Sequence, residues 1–229
     1  MRFDLIAGNL GLFAQGIWLT LQLTFIPMVI GLCIALPGAL AQVRGTPILA
    51  PLMRGFSYLI CGTPLTVQLL FVYFVLPEVP GVRSSWAWMF LRDPWWCAVI
   101  AFSLSAGGYW IVLLAGEIEA TPKGIMEAAA ALGLSLRQST WLVLIPSVFR
   151  RILPQVGNEV VLMMHASALA SVVTLADILG AARTFNARHY LAVEGLLVAA
   201  ILYMALTFTV IGVFSLLERR YMAYLGLNR

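Results

Sequence analysis

One carboxylate, Glu159, lies at the start of a long apolar stretch of this sequence. A charged side chain at the centre of a membrane helix costs about 2.5–3.5 kcal/mol on insertion scales, so such a residue should face a cavity or a partner. One interpretation is that Glu159 attracts a cationic solute on a pathway through the protein. The other is an interfacial carboxylate that pairs with Arg150 or Arg151, or reaches water.

Two further polar residues follow in the same stretch, His165 and Ser167. His165 lies six residues beyond Glu159, about 240° around a helix, so the two side chains do not share a face. It is either a donor on the pathway or a histidine used in helix packing. Ser167 and Ser171 are four residues apart, and small residues at this spacing favour close helix packing. Lining of a pore is the alternative for Ser167.

Thr63 and Gln68 are the polar candidates in an earlier apolar stretch. The run Gly62-Thr63-Pro64 should break or widen a helix, which frees backbone groups that protein or water must satisfy. Discontinuous helices recur at the binding sites of transporters. A proline kink that serves only packing is the alternative.

The sequence contains no motif for a disulfide framework, a metal site, a nucleotide-binding loop or a hydrolytic active site. The three cysteines have no CxxC spacing, and no set of ligands stands at metal spacing. No Walker-type GK[ST] loop, nucleophile elbow or HExxH motif occurs. We therefore expect no catalytic site, no metal and no cofactor in this chain. Asp177 lies near an external end, where we expect it to reach water or a partner.

The elements that position these residues follow from composition. Of 229 residues 62% are apolar and 10% are charged, against about 25% charged in a soluble domain. This excludes a soluble globular enzyme, a nucleic-acid-binding module and a disordered linker. Because a spanning helix needs about 20 mostly apolar residues, we predict one all-α integral membrane domain over 1–229. Its five transmembrane helices are predicted at about 12–43, 56–76, 95–116, 160–175 and 196–217.

The basic residues orient these spans. The segments 44–54, 118–151 and 218–229 share one side and hold nine Lys and Arg residues, against five on the other side. The positive-inside rule then places the N-terminus outside and the C-terminus in the cytoplasm. The five on the outer side are Arg2, Arg83, Arg92, Arg183 and Arg188.

The longest polar connection, about 118–151, is cytoplasmic in this topology. Residues 127–132 are rich in Ala, so they are predicted to form a helix. Gly133 can end that helix in a left-handed cap, or the helix continues to Gln138. A second short helix through Trp141–Ile145 should stop at Pro146. Such a segment is either a surface connector or a docking site for a cytoplasmic partner.

The same segment carries a specific spacing. Glu127-Ala128-Ala129, three residues, Gly133, nine residues and Val143-Leu144-Ile145-Pro146 resemble the EAA motif, EAA-x3-G-x9-I-x-LP. This motif marks the membrane subunits of bacterial binding-protein-dependent ABC importers, in which it forms a coupling helix that sits in a groove of the ATPase. The residues to which the resemblance assigns ATPase coupling are Glu127, Ala128, Ala129, Gly133 and Pro146.

Two more stretches resemble a subfamily. Residues 61–71 resemble the RGTPLLVQLFF signature of polar amino-acid permeases. Residues 158–170 resemble one subunit of the histidine/lysine/arginine/ornithine importer and of opine importers. The resemblance implies the ABC importer permease fold and import of a polar amino acid, which we expect to be basic, by alternating access. An opine or other polar-solute permease is the alternative, and a membrane channel or scaffold without an ATPase is another.

The resemblance also implies partners and a location. A dimer of cytoplasmic ATPase subunits would bind ATP and Mg²⁺, and a periplasmic binding protein would deliver the solute. A second homologous permease subunit would complete the pathway, as a heterodimer. The location is the bacterial inner membrane, and no nucleic acid is involved.

The chain departs from the family pattern at two positions. Cys61 stands where the signature usually has Arg, and Val112 stands where the third span usually carries Glu. If those two groups pair in relatives, losing both leaves no orphan charge, whereas losing one would be costly.

Overall fold

The computed structural model describes residues 3–222, and within them every regular element is helical. Arg2 and Arg229, which enter the count of basic residues, lie outside this range. The helices α1 to α5 comprise Phe3–Gly8, Leu10–Arg44, Leu49–Gly62, Leu65–Leu70 and Trp88–Leu91. The helices α6 to α11 comprise Pro94–Glu119, Lys123–Ala131, Leu136–Ser139, Ile145–Ala166, Ile178–His189 and Ala192–Met222. Short π and 3-10 segments extend α4 through Glu78, join α8 to α9, and extend α9 through Val173.

Four of the described helical segments are long and apolar enough to cross a membrane. The helix α3 and the segment Leu65–Glu78 pass the same test together, bent by 100° at a short break. Counted as one broken span, this pair brings the number to the five that the sequence predicts. The four continuous segments are Leu10–Arg44, Pro94–Glu119, Leu136–Val173 and Ala192–Arg220.

The centre of the bundle is the contact between α2 and α6. A Cβ atom added to Gly31 would lie 2.6 Å from Cβ of Ala106 and 2.9 Å from the backbone nitrogen of Gly107. Small residues therefore let the two backbones approach closely, as is usual where no hydrophobic effect drives helices together in lipid. Helix α6 is surrounded by other helices on most sides, whereas α11 keeps most of its surface outside the fold.

The third connection joins α6 to α9. Helix α6 runs to Glu119 and α9 begins at Ile145, so residues 120–144 lie between the two long helices and contain α7 and α8. The prediction that a second short helix stops at Pro146 is wrong. Pro146 occupies the first turn of α9, where a missing N–H costs no hydrogen bond and the fixed φ suits the helix.

Asp177 is also placed differently from the expectation that it reaches water or a partner. Its side chain is fully buried and caps α10, accepting hydrogen bonds from the backbone N–H groups of Leu179 and Gly180 at 3.3 and 3.0 Å. The hydroxyl of Tyr203 donates to the same carboxylate at 2.8 Å. The expectation was wrong because Asp177 ties α10 to α11.

The substitution Asp177→Ala should lower the stability of the fold. It removes a helix cap, worth about 1 kcal/mol, and leaves the half-buried Tyr203 hydroxyl without its Asp177 acceptor, which adds up to about 1–3 kcal/mol. The thermal unfolding midpoint in detergent should fall clearly for Asp177→Ala and less for Asp177→Asn, which keeps an acceptor oxygen. Arg188→Ala, an exposed change on the same helix, is the control. Equal midpoints for Asp177→Ala and the control would contradict this role.

Candidate functional site

A cavity of about 450 Å³ opens where the broken span meets α6 and α9. The break of the second span forms one wall, and one face of each long helix forms the others. Side chains of different kinds meet there: a carboxyl, two hydroxyls, a phenol, a thiol and a thioether. They belong to Glu159, Thr63, Ser105, Tyr109, Cys61 and Met163.

Glu159 lines this cavity. Among the described residues it has no ion pair, and Arg151 is bonded instead to Glu117, with Nε 3.1 Å from Oε2. Arg150 is exposed and takes no part in an ion pair within residues 3–222. The alternative in which Glu159 pairs with Arg150 or Arg151 is therefore wrong. A half-buried carboxylate with no ion pair among the described residues is chemically able to accept a cationic group in this cavity.

The break in the second span has its own internal support. Thr63 and Pro64 are extended, with ψ of 135° at both residues. The side-chain amide of Gln68 donates to the carbonyl oxygens of Ile60 and Thr63 at 2.8 and 3.0 Å, and lies 2.9 Å from the Thr63 hydroxyl. The Thr63 N–H and hydroxyl also donate to the Ile60 carbonyl oxygen, at 3.4 and 3.3 Å. Together these bonds satisfy acceptors that the break frees in an apolar region. Thr63 thus lies at the cavity, whereas Gln68 stabilises the break.

His165 and Ser167 do not reach the cavity. The His165 ring lies 3.0 Å, from Nε2 to Oγ1, from Thr207 of α11 and packs edge-on against Tyr203. Ser167 is fully buried and donates to the carbonyl oxygen of Met164 at 2.7 Å. Both contacts agree with the packing interpretation, and neither supports a place on a pathway.

Sequence reasoning missed Ser105 and Tyr109, which line the cavity from α6. They are four residues apart and so share a face of the helix. Helix α6 is apolar all round, and its sequence gives no polar stripe that would point to the cavity. The only available signal was the four-residue spacing of two hydroxyl groups.

A second cavity, of about 440 Å³, adjoins the first at Cys61 and Gly62. Both positions at which the chain departs from the family pattern, Cys61 and Val112, line it, together with Arg54 and Gln42. The two departures therefore lie in the same wall. Because a thiol and an isopropyl group stand there, neither position leaves an unpaired charge.

The segment with the EAA spacing forms a compact turn between two short helices. Gly133 follows α7 with φ of 78°. The N–H of Leu134 donates to Ala129 and that of Gly133 to Ala130, at 3.1 and 2.9 Å, which is the Schellman pattern of a left-handed cap. The left-handed cap is confirmed, and the alternative of a helix continuing to Gln138 is wrong.

Its surface suits a partner. Ala129 is buried against the bundle, while Glu127 and Ala128 are exposed. A capping box between Ser135 and Gln138 fixes the start of α8. Large apolar side chains nevertheless remain exposed around the turn. They are Leu132, Leu136, Trp141 and Leu142.

The end of α2 lies against the same segment, because the Arg44 guanidinium donates to the Thr140 hydroxyl. Arg44 also lines a cavity together with Lys123 and Glu127. The segments 44–54 and 118–151, which the count of basic residues assigned to one side, therefore meet at one end of the bundle. Within residues 3–222 no group of three or more His, Cys, Asp or Glu side chains is placed to hold a metal ion.

Known proteins resemble this chain over most of its length. The nopaline transport system permease protein NocM of Agrobacterium fabrum (strain C58 / ATCC 33970) is 34% identical over 192 residues, which are 83% of this chain and 80% of that protein. The histidine/lysine/arginine/ornithine transport system permease protein HisM of Escherichia coli (strain K12) is 35% identical over 212 residues, covering 91% and 88%.

Solved structures of ABC transporters are also similar to this chain. A crystal structure of an amino acid ABC transporter with histidines has a TM-score of 0.84 at 29% identity, covering 96% of this chain and 99% of the other. The MetNI methionine ABC transporter in an inward-facing conformation has the same fold, with a TM-score of 0.73 at 16% identity and coverage of 93% and 97%.

Residues 28–223 match the family described as binding-protein-dependent transport system inner membrane component. The resemblance carried by the EAA spacing is thereby confirmed, and a channel or scaffold without an ATPase is no longer an alternative. The chain belongs to this family, the non-catalytic membrane permeases of ABC importers.

Proposed function

We propose that this chain is the permease subunit of an ATP-driven importer that moves a basic amino acid, of the histidine, arginine or lysine type, into the cytoplasm. A periplasmic binding protein delivers the solute, and the cavity switches between outward-facing and inward-facing states. Relatives named for histidine, lysine, arginine and ornithine transport and for arginine transport support this substrate class. Alternating access is a two-state equilibrium that ATP and the docked binding protein bias.

The observation that carries the proposal is the unpaired Glu159 carboxylate on the wall of the first cavity. A volume of about 450 Å³ falls in the range of small-molecule sites, about 300–1,000 Å³. The charge of Glu159 would complement the cationic side chain, and Tyr109, Ser105 and Thr63 supply hydroxyl groups for the rest of the solute.

We assign the partners to two exposed surfaces of the bundle. The exposed turn around Gly133 would dock in the cytoplasmic ATPase, which binds ATP and Mg²⁺. Five helices are few to enclose a pathway, and exposed apolar side chains on the broken span, such as Tyr58 at 84% exposure, would face a second permease subunit in a heterodimer. The N-terminus is then periplasmic and the C-terminus cytoplasmic, in the inner membrane.

An opine is the second candidate solute. The nopaline and octopine permeases NocM and OccM are 34% and 36% identical to this chain, similar to HisM. Opines carry an additional carboxylate, and the adjoining cavity holds Arg54 beside Cys61. The guanidinium of Arg54 could bind that group while Glu159 binds the cationic part.

The substitution Glu159→Gln should reduce ATP-driven import of arginine by about tenfold or more, since a hydrogen bond to a charged group contributes about 1.5–3 kcal/mol. The measurement is uptake into proteoliposomes that contain the complete importer. Glu159→Asp, which keeps the charge, should retain more uptake than Glu159→Gln. Glu218→Gln, the same change at the far end of α11, should leave uptake unchanged. Unchanged uptake by Glu159→Gln would show that the carboxylate takes no part in the pathway.

The substitution Gly133→Val should weaken binding of the ATPase. A left-handed residue with a side chain costs about 1–2 kcal/mol, which corresponds to about five- to thirtyfold in the binding constant. The measurement is titration of detergent-solubilised permease with the ATPase. Gly116→Val is the control, because a Cβ there meets open space and its φ is not left-handed. Equal affinities for both variants would argue against docking through this turn.

A further inference from the structure

A bonded cluster joins the cytoplasmic ends of α6 and α9. Arg151 donates from Nε to Glu117 Oε2 at 3.1 Å and from Nη2 to the Glu117 carbonyl oxygen at 2.9 Å. It also donates from Nη2 to the Thr121 hydroxyl at 2.6 Å and from Nη1 to the Ser147 hydroxyl at 2.8 Å. We call these four residues the Arg151 bracket.

The hydrogen bonds of the bracket should contribute more to stability than an ordinary surface ion pair does. The side chains of Arg151 and Glu117 are 28% and 26% exposed, and Thr121 is 9% exposed. Charge-assisted hydrogen bonds are roughly twice as strong as neutral ones. An isolated pair in open solvent would contribute little, but here one planar guanidinium reaches two helices and the connection after α6.

The position of the bracket in the chain is informative. Glu117 and Thr121 come just before α7, and Ser147 and Arg151 lie in the first two turns of α9, just after α8 and its π turn. The bracket therefore closes the two ends of the segment 122–144, which contains the docking turn. When the docking turn is displaced, the hydrogen bonds of the bracket hold both ends of the segment together, so the two ends do not move independently.

The same two helices carry the cavity. Tyr109 lies eight residues before Glu117 on α6, and Glu159 lies eight residues after Arg151 on α9. At a rise of 1.5 Å per residue, each separation is about 12 Å along its helix. The bracket and the Tyr109 and Glu159 positions are thus two levels of one packed helix pair.

We propose that the Arg151 bracket makes the docking segment, α6 and α9 move as one body, so that motion of the ATPase reaches the cavity that contains Glu159. This inference rests on the proposed function. Arg151 acts as a positioning residue, through Glu117 and Thr121, and does not touch the solute. Without the bracket, the connection at 120–122 can bend and absorb the motion.

The experiment measures coupling in proteoliposomes with the complete importer, as arginine imported per ATP hydrolysed. Arg151→Gln and Glu117→Gln should each lower this ratio by about fivefold or more, the lower range of coupling between sites. ATPase recovery on purification and basal ATP hydrolysis should remain within about twofold. Because the two residues act as a pair, the double variant should be no worse than the poorer single variant.

Two further variants keep the test decisive. Arg219→Gln removes an exposed positive charge at the end of α11 and should leave the ratio unchanged. Thr121→Val removes one bond of the bracket without a change of charge and should lower the ratio by a smaller factor. If Arg151→Gln fails to assemble, Thr121→Val decides the question.

An unchanged ratio in Arg151→Gln, or in Thr121→Val where the former does not assemble, would overturn the inference. Additive losses in the double variant would also overturn it, since independent sites add. A wild-type importer that binds the ATPase but imports no arginine would instead contradict the proposed substrate. A wild type that recovers no ATPase would contradict the proposed docking.

Discussion

The structure depends on one constraint: polar groups in an apolar surrounding must find a partner or a cavity. The break at Thr63 and Pro64 is tolerated because Thr63 and the Gln68 amide donate hydrogen bonds to the freed carbonyl oxygens. Asp177 is tolerated because it caps a helix and accepts from Tyr203. Glu159 differs from both, because its carboxylate has no such partner among the described residues and faces a cavity. We place the solute in that cavity, beside this carboxylate.

Charged side chains link the helices that line this cavity to the end of the bundle that carries the EAA segment. Arg44 reaches Thr140, and Arg151 reaches Glu117 and Thr121, so the ends of α2, α6 and α9 are tied together around the EAA segment. In the centre of the bundle, close packing of small residues holds α2 against α6. We infer from these two sets of contacts that the cavity and the turn around Gly133 move as parts of one unit.

The sequence predicted the features that rest on local chemistry. The left-handed Gly133 needs only a helix former followed by glycine, and the break at Thr63 needs only a Gly-Thr-Pro run. It did not predict features that need three-dimensional packing. Ser105 and Tyr109 were missed because α6 is apolar on every face, and the Glu117–Arg151 pair because 34 residues separate them. The helix stop at Pro146 was wrong because the helical segment Leu136–Val173 continues through this proline, by way of the π turn at Thr140–Leu144.

The most direct test of the central claim is a structure of the assembled importer, determined with arginine bound. The account predicts density for the guanidinium group within hydrogen-bonding distance of the Glu159 carboxylate, with the solute between the broken span, α6 and α9. Density for the solute elsewhere, with Glu159 in contact only with water or another protein chain, would contradict it.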